Sequence, residues 1–163
     1  MSGTKGPLKN MVAAKAMDPK GRYAIVASRF NAEVTDGLLS GAQLELGERG
    51  VSPERVETLH APGAFEMPLI AKKLAKTGRY AGVICLGCVI KGDTAHFEFI
   101  SLGAAVGLMQ ATLDTEVPIT FGILTTYTDE QALVRSRDDA HNKGREAAAA
   151  CVESVAVLAQ VAR

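Results

Sequence analysis

The sequence is poor in cysteine and carries no excess of either charge. Its 163 residues include three cysteines, an odd number that argues against a disulfide framework. The 18 basic residues balance the 18 acidic residues, so the net charge of zero offers no general attraction to nucleic acid or to an anionic membrane. We therefore expect neither nucleic acid nor a membrane among the partners of this protein.

Long apolar segments are also missing. The first 21 residues lack the apolar core of a secretory signal peptide. The most apolar late stretch, residues 147–162, is interrupted by Glu153 and Gln160 and is too short and too polar to span a bilayer. Apolar residues nevertheless make up 47% of the chain, which is enough for the core of one domain. We expect a cytoplasmic protein.

The usual signatures of nucleotide, metal and redox sites are weak or absent. Neither a Walker A motif nor G-x-G-x-x-G occurs in the chain. Cys85 and Cys88 form a C-x-x-C pair, but they lie in the apolar run "AGVICLGCVI", which is typical of a buried strand. Strand side chains alternate between faces, so these two cysteines point in opposite directions. We therefore expect no metal site.

Strand patterns alternate with helix patterns from residue 22 onward. The predicted strands cover residues 22–30, 55–62, 81–90 and 117–126. The predicted helices cover residues 34–50, 64–78, 95–116, about 128–137 and 142–163. This order predicts an α/β fold in which a four-stranded parallel sheet has helices on both faces. Residues 1–21 show no period and are interpreted as a flexible arm, followed by a single domain over residues 22–163.

In open parallel sheets, ligands bind at the carboxyl ends of the strands, so the residues that follow each strand are candidates. Phe30 follows the first strand and either stacks on a flat heterocycle or packs at the edge of the core. Glu66 follows the second strand, in "PGAFEMP". Its carboxylate either interacts favourably with the positive end of the helix dipole or accepts hydrogen bonds from a polyhydroxyl ligand.

The stretch "GCVIKGDTAHFEF" joins the third strand to a helix. Gly92 lets the backbone turn, and a helix that starts near Thr94 directs unpaired N–H groups outward, which is typical of a phosphate site. Asp93 opposes this interpretation if its carboxylate faces the anion. His96 either transfers protons near neutral pH or is an ordinary surface histidine.

Arginines follow the fourth strand. Arg135 and Arg137 either clamp a phosphate dianion or end a solvated helix. Together with the preceding strand ends, they predict a ligand that carries an aromatic ring, hydroxyl groups and a phosphate.

The motifs "SRFN", "PGAFEMP", "GCVIKGDTAHFEFI" and "FGILTT" occur in the order and spacing that resemble the 6,7-dimethyl-8-ribityllumazine synthase family. The resemblance runs from about residue 22 to the end of the chain. It implies a flavodoxin-like three-layer α/β/α sandwich. It also implies a transferase that condenses 5-amino-6-(D-ribitylamino)uracil with 3,4-dihydroxy-2-butanone 4-phosphate, in the penultimate step of riboflavin biosynthesis. No cofactor is implied.

The resemblance also assigns roles to individual residues. It implies that His96 transfers protons and that Phe30 stacks on the pyrimidine. The remaining residues of the pyrimidine and ribityl site would be Ala64, Phe65, Glu66, Cys88, Val89, Ile90 and Phe121, the last from an adjacent subunit. The phosphate would meet Asp93, Thr94 and Arg135, with the Asp93 amide rather than its carboxylate facing the anion.

The same resemblance implies a homopentamer whose sites lie between neighbouring subunits. The turn before the last helix, residues 136–144, carries no insertion relative to the shell-forming pattern, so we expect an icosahedral shell. Riboflavin synthase becomes a candidate partner. The alternatives are a non-catalytic flavin or lumazine carrier and a shell-forming scaffold, but a carrier needs neither a proton-transfer histidine nor a phosphate clamp.

One position departs from the family pattern. Many members have a lysine four residues after the phosphate arginine, and Asp139 stands there in this chain. Lys91, Arg137 or Lys143 could supply the missing cation. We favour Arg137, because it is one short helical step from Arg135.

Overall fold

The computed structural model describes residues 21–162, which contain four strands and five helices. The strands are β1 (Arg22–Ser28), β2 (Val56–Ala61), β3 (Tyr80–Ile90) and β4 (Ile119–Thr126). The helices are α1 (Ala32–Glu48), α2 (Met67–Lys76), α3 (His96–Thr115), α4 (Asp129–Arg135) and α5 (Lys143–Val161). Short 3₁₀ turns cover Pro53–Arg55 and Ala64–Glu66.

The four strands form one parallel sheet in the order β2-β1-β3-β4. This arrangement confirms the predicted α/β class and the parallel sheet. β3 is buried along most of its length, as its two-sided apolar sequence predicts. β2 is only half-buried and lies at one edge of the sheet, and β4 lies at the other edge.

Helices cover both faces of the sheet and bury two separate cores. On one face, Tyr23 and Ile25 pack with residues of α1 and α5, such as Leu38 and Ala148. On the other face, the alternate β1 residues pack with α2 and α3, through side chains such as Met67 and Leu108. The result is the flavodoxin-like three-layer sandwich that the resemblance implies.

The two cysteines of the C-x-x-C pair confirm the alternation of strand faces. Cys85 belongs to the core beneath α2 and α3, whereas Cys88 belongs to the core beneath α1 and α5. Both are free and buried. Their side chains therefore lie on opposite sides of the sheet.

The boundaries of several elements differ from the predicted ones by a few residues. β1 ends at Ser28, two residues before the predicted end, and the chain turns into α1 at Asn31. The predicted helix over residues 64–78 begins as a 3₁₀ turn and becomes α-helical only at Met67. Such 3₁₀ turns are frequent at the N-termini of α-helices, where the first amides have no intrahelical partner.

The predicted arm over residues 1–21 lies outside the described residues except for Gly21, and the division into an arm and one domain stays a prediction. Within residues 21–162, no helix is both long enough and apolar enough to cross a membrane.

Candidate functional site

A cavity of about 540 Å³ opens at the carboxyl ends of β1, β2 and β3. It lies where parallel α/β sheets place their ligands, because the loops that follow the strands meet at this edge. Most of the predicted site residues line it. These are Phe30, Ala64, Phe65, Glu66, Cys88, Val89, Ile90, Thr94 and His96.

Three aromatic residues line this cavity, namely Phe30, Phe65 and Phe97. Phe30 is 69% exposed and Phe65 is 59% exposed, so neither ring is part of the core. Phe30 follows β1 directly, and its backbone is held on both sides. Its N–H donates to the Ser28 hydroxyl at 3.1 Å, and its carbonyl accepts from the Thr35 hydroxyl at 3.1 Å. An exposed ring on a fixed backbone can stack on a flat heterocycle.

The end of β3 presents backbone rather than reactive side chains. Burial, with a smaller contribution from the charge of Asp129, raises the pKa of the Cys88 thiol to about 11. Cys88 is therefore a neutral thiol near pH 7 and a poor nucleophile or metal ligand. Its carbonyl accepts a hydrogen bond from the Asn31 side chain at 2.9 Å, which ties the end of β3 to the loop after β1.

The start of α3 lies beside the cavity. The Thr94 hydroxyl accepts the His96 N–H at 3.3 Å, and both residues line the cavity together with Gly92. Asp93 is exposed and is not among the lining residues. The geometry therefore brings the predicted hydroxyl and imidazole together and leaves the Asp93 side chain outside.

The first cavity is lined by acidic side chains. Glu66 and Asp129 contribute carboxylates, and no lysine or arginine lines this cavity among the residues described. A phosphate dianion bound here would meet two carboxylates and no fixed cation. Sequence reasoning missed Asp129 and Asn31, although both follow a strand end within three residues, which was the signal available.

Phe121 and Arg135 lie elsewhere, in a second cavity of about 510 Å³ along the edge strand β4. Phe121 is 44% exposed there, and one Arg135 guanidinium nitrogen donates to the Gln131 carbonyl at 2.9 Å. Lys143 and Glu146 also line this cavity and pair with each other at 2.7 Å. The structure therefore separates the predicted residues of one site into an acidic cavity and a basic, aromatic one.

Asp139 stands where many family members have a lysine, but it does not lie at either cavity. Asp139 lies in the turn before α5, where its carboxylate accepts the His141 N–H at 2.8 Å. Arg137 is exposed and lies 4.0 Å from the carboxylate of Glu130. Lys143 is the candidate cation that lines the same cavity as Arg135, so the geometry favours Lys143 over Arg137.

The fold and the first cavity together define a class of protein. It is an α/β sandwich with a cavity, lined in part by aromatic side chains, at the carboxyl ends of its parallel strands. The model of the family described as 6,7-dimethyl-8-ribityllumazine synthase matches residues 20–159 of the chain. The protein belongs to this family, as its motifs indicated.

The matches to curated relatives cover most of this chain and most of each relative. It is 65% identical over 140 residues to "6,7-dimethyl-8-ribityllumazine synthase 1" of Caulobacter vibrioides, which covers 86% of this chain and 92% of the relative. It is 48% identical over 137 residues to the synthase of Salinibacter ruber, covering 84% and 88%. It is 45% identical over 152 residues to that of Deinococcus deserti, covering 93% and 97%.

Proposed function

We propose that the protein condenses 5-amino-6-(D-ribitylamino)uracil with 3,4-dihydroxy-2-butanone 4-phosphate to 6,7-dimethyl-8-ribityllumazine. The observation that carries this proposal is the first cavity, which places the exposed Phe30 ring, the Glu66 carboxylate and the His96 imidazole around one space at the carboxyl edge of the sheet. The names of the relatives support it.

The pyrimidine substrate suits the first cavity by shape and by polarity. Its flat ring would stack on Phe30, and the backbone at the end of β3 offers hydrogen-bonding groups to the ring edge. The ribityl chain is rich in hydroxyl donors, and Glu66 offers a carboxylate that accepts them. This half of the site therefore needs no cation.

The reaction consists of proton transfers around two new C–N connections. The 5-amino group attacks the ketone and loses water to give an imine. Elimination then releases inorganic phosphate, and the ribitylamino nitrogen closes the ring with loss of a second water. His96 would accept and return the protons in these steps. Most of the remaining acceleration would come from holding two substrates in the reacting geometry.

The phosphate half requires positive charge that the first cavity does not offer. Arg135 and Lys143 supply it in the second cavity, beside Phe121 on the edge strand β4. We propose that the β4 edge of one copy lies against the acidic cavity of another, so that each complete site combines both. The opposite charges of the two cavities support this arrangement, because complementary potentials favour the pairing of such surfaces.

α3 supports assembly independently of the site. Its exposed apolar residues repeat at alternating spacings of three and four, which is the pattern of a helix seam. They are 56–73% exposed. The stripe consists of Phe99, Leu102, Val106, Met109 and Leu113. We propose that these seams meet in a homopentamer. The icosahedral shell, the association with riboflavin synthase and the cytoplasmic location stay predictions.

One experiment tests the reaction directly. Purified protein is mixed with both substrates, and the absorbance of the lumazine and the release of phosphate are followed together. The proposal expects one phosphate for each lumazine formed. A protein that binds the pyrimidine but forms no lumazine is a carrier, and one that binds neither substrate is a scaffold.

A further inference from the structure

Asn31 has an unusual backbone and an unusual use of its side chain. It precedes α1 with φ of 56° and ψ of 52°, in the left-handed region. Among residues 21–162, Glu116 is the only other non-glycine residue with positive φ. An asparagine at this position commonly accepts an amide N–H from the first helical turn. Asn31 makes no such cap, and its side chain is directed elsewhere.

The Asn31 side chain joins two loops of the first cavity. Its amide nitrogen lies 2.9 Å from the Cys88 carbonyl oxygen, although the two residues are 57 positions apart. A carbonyl only accepts, so the amide nitrogen must be the donor. Cys88 is 3% exposed, and its carbonyl lies at the end of β3 that lines the cavity.

The same residue sets the path of the chain beside Phe30. The Asn31 carbonyl accepts the Thr35 N–H at 3.0 Å and the Thr35 hydroxyl at 3.1 Å, which locks the turn onto α1. Thr35 is 1% exposed, so this anchor is inside the core. The left-handed turn therefore begins directly after the ring that would stack on the pyrimidine.

We infer that Asn31 is a positioning residue for the pyrimidine half of the site, an inference that rests on the proposed function. Its carboxamide fixes the distance between the Phe30 ring and the backbone at the end of β3. Those are the two surfaces that would hold the face and the edge of the same heterocycle. The residue gives up a local helix cap for this contact, and preorganised sites depend on such supporting bonds.

The test separates the side chain from the backbone with two variants and a matched control. Asn31→Gly removes the carboxamide and keeps a residue that adopts positive φ freely, whereas Asn31→Ala removes both. Glu116→Gly makes the same change at the other left-handed residue, which does not line the first cavity. KM for each substrate, kcat and Tm are measured for all three and for the unmodified protein.

We expect Asn31→Gly to raise KM for 5-amino-6-(D-ribitylamino)uracil about fivefold, the loss typical of one neutral hydrogen bond. KM for the phosphate substrate should change less than about twofold, and Tm should fall by no more than about 4 °C. Asn31→Ala should raise the same KM and lower Tm further. Glu116→Gly should leave both KM values unchanged.

Two results overturn the inference while the proposed function stands. One is lumazine formation by Asn31→Gly with an unchanged KM for the pyrimidine. The other is an equal rise of KM for both substrates. Absence of lumazine formation by the unmodified protein refutes the proposed function, and the inference fails with it.

Discussion

At the residue scale, His96 is distinct among the charged and titratable side chains described around the first cavity. Cys88 is held neutral by burial, and Glu66 and Asp129 are carboxylates. An imidazole both takes up and releases protons near pH 7. Each step proposed for this cavity moves a proton, so replacing His96 is the most direct test of the mechanism.

We expect His96→Ala to lower kcat by about ten- to a thousandfold while KM for both substrates stays within about threefold. The residual rate should not be zero, because the substrates are still positioned. Steady-state lumazine formation measures both parameters. His60→Ala, at an exposed position on the edge strand β2, serves as the control and should behave as the unmodified protein. An unchanged kcat in His96→Ala would remove this residue from the mechanism.

Phe30 and Arg135 should divide the two substrates between them. Phe30→Ala should weaken binding of the pyrimidine by about 1–3 kcal/mol, because it removes the stacking surface. Arg135→Ala should weaken the phosphate substrate by about 2–3 kcal/mol, the range for a charge-assisted contact. Calorimetric titration with each ligand separately measures both. Equal losses for both ligands in both variants would contradict the division.

Lys143, rather than Arg137, should replace the lysine that Asp139 displaces. Lys143→Met keeps the length of the side chain and removes the charge, so it should weaken the phosphate substrate by about 1–2 kcal/mol. Arg137→Met and Asp139→Lys should change this affinity little, because neither position lines the cavity of Arg135. A loss in Arg137→Met together with none in Lys143→Met would restore the interpretation favoured by sequence spacing.

At the element scale, α1 and α5 approach each other closely on one face of the sheet. A Cβ atom on Gly144 would overlap the Leu38 carbonyl oxygen, so the first turn of α5 touches the backbone of α1. Nearly buried Glu45 of α1 pairs with Arg145 of α5 at 2.9 Å across the same contact, and with Arg49 at the end of its own helix at 2.8 Å. This packing holds the start of α5, and with it Lys143, against the rest of the fold.

We expect Gly144→Ala to lower the free energy of unfolding by about 3 kcal/mol, since backbone cannot move aside as a flexible side chain can. Gly47→Ala is the matched control, because nothing lies within 4 Å of its added methyl group and it sits near the end of α1. That variant should gain about 0.5–1 kcal/mol. Urea unfolding at one fixed protein concentration measures both. Equal stability of the two variants would show that the helices can separate without cost.

At the scale of the whole molecule, activity and assembly should be inseparable. The acidic cavity and the basic cavity are two different surfaces of the same chain. A single copy would therefore hold the pyrimidine without the cations that the phosphate substrate needs. The apolar stripe of α3 offers the contact through which copies would be held together.

We expect Val106→Lys to dissociate the assembly and to abolish lumazine formation together, because charge repulsion and desolvation both oppose a lysine in an apolar seam. Asp36→Lys changes an exposed residue of α1 on the opposite face of the sheet and should do neither. Sedimentation of the purified proteins at neutral pH reports the mass. A stable, active monomer would contradict the shared site, and a species of one-pentamer mass would contradict the predicted shell.

The sequence by itself determined the order of elements and the class of fold. Apolar alternation and helical periods are local properties, and the handedness of βαβ units leaves few ways to arrange them. It also identified the residues of the strand ends, because parallel strands bring their carboxyl ends to one edge whatever their lateral order. The faces of Cys85 and Cys88 followed from the same alternation.

Only the tertiary structure decided which strand-end residues share a cavity. Phe121 lies within β4 and Arg135 lies in α4, and both line the second cavity, whereas Asp129, just after β4, lines the cavity of His96. This grouping depends on packing between distant segments. The contact of Asn31 with Cys88 likewise joins residues 57 positions apart, and no local pattern encodes it. Lys143 faces the cavity of Arg135 because the turn and α5 pack on α1, a contact that one-dimensional spacing cannot express.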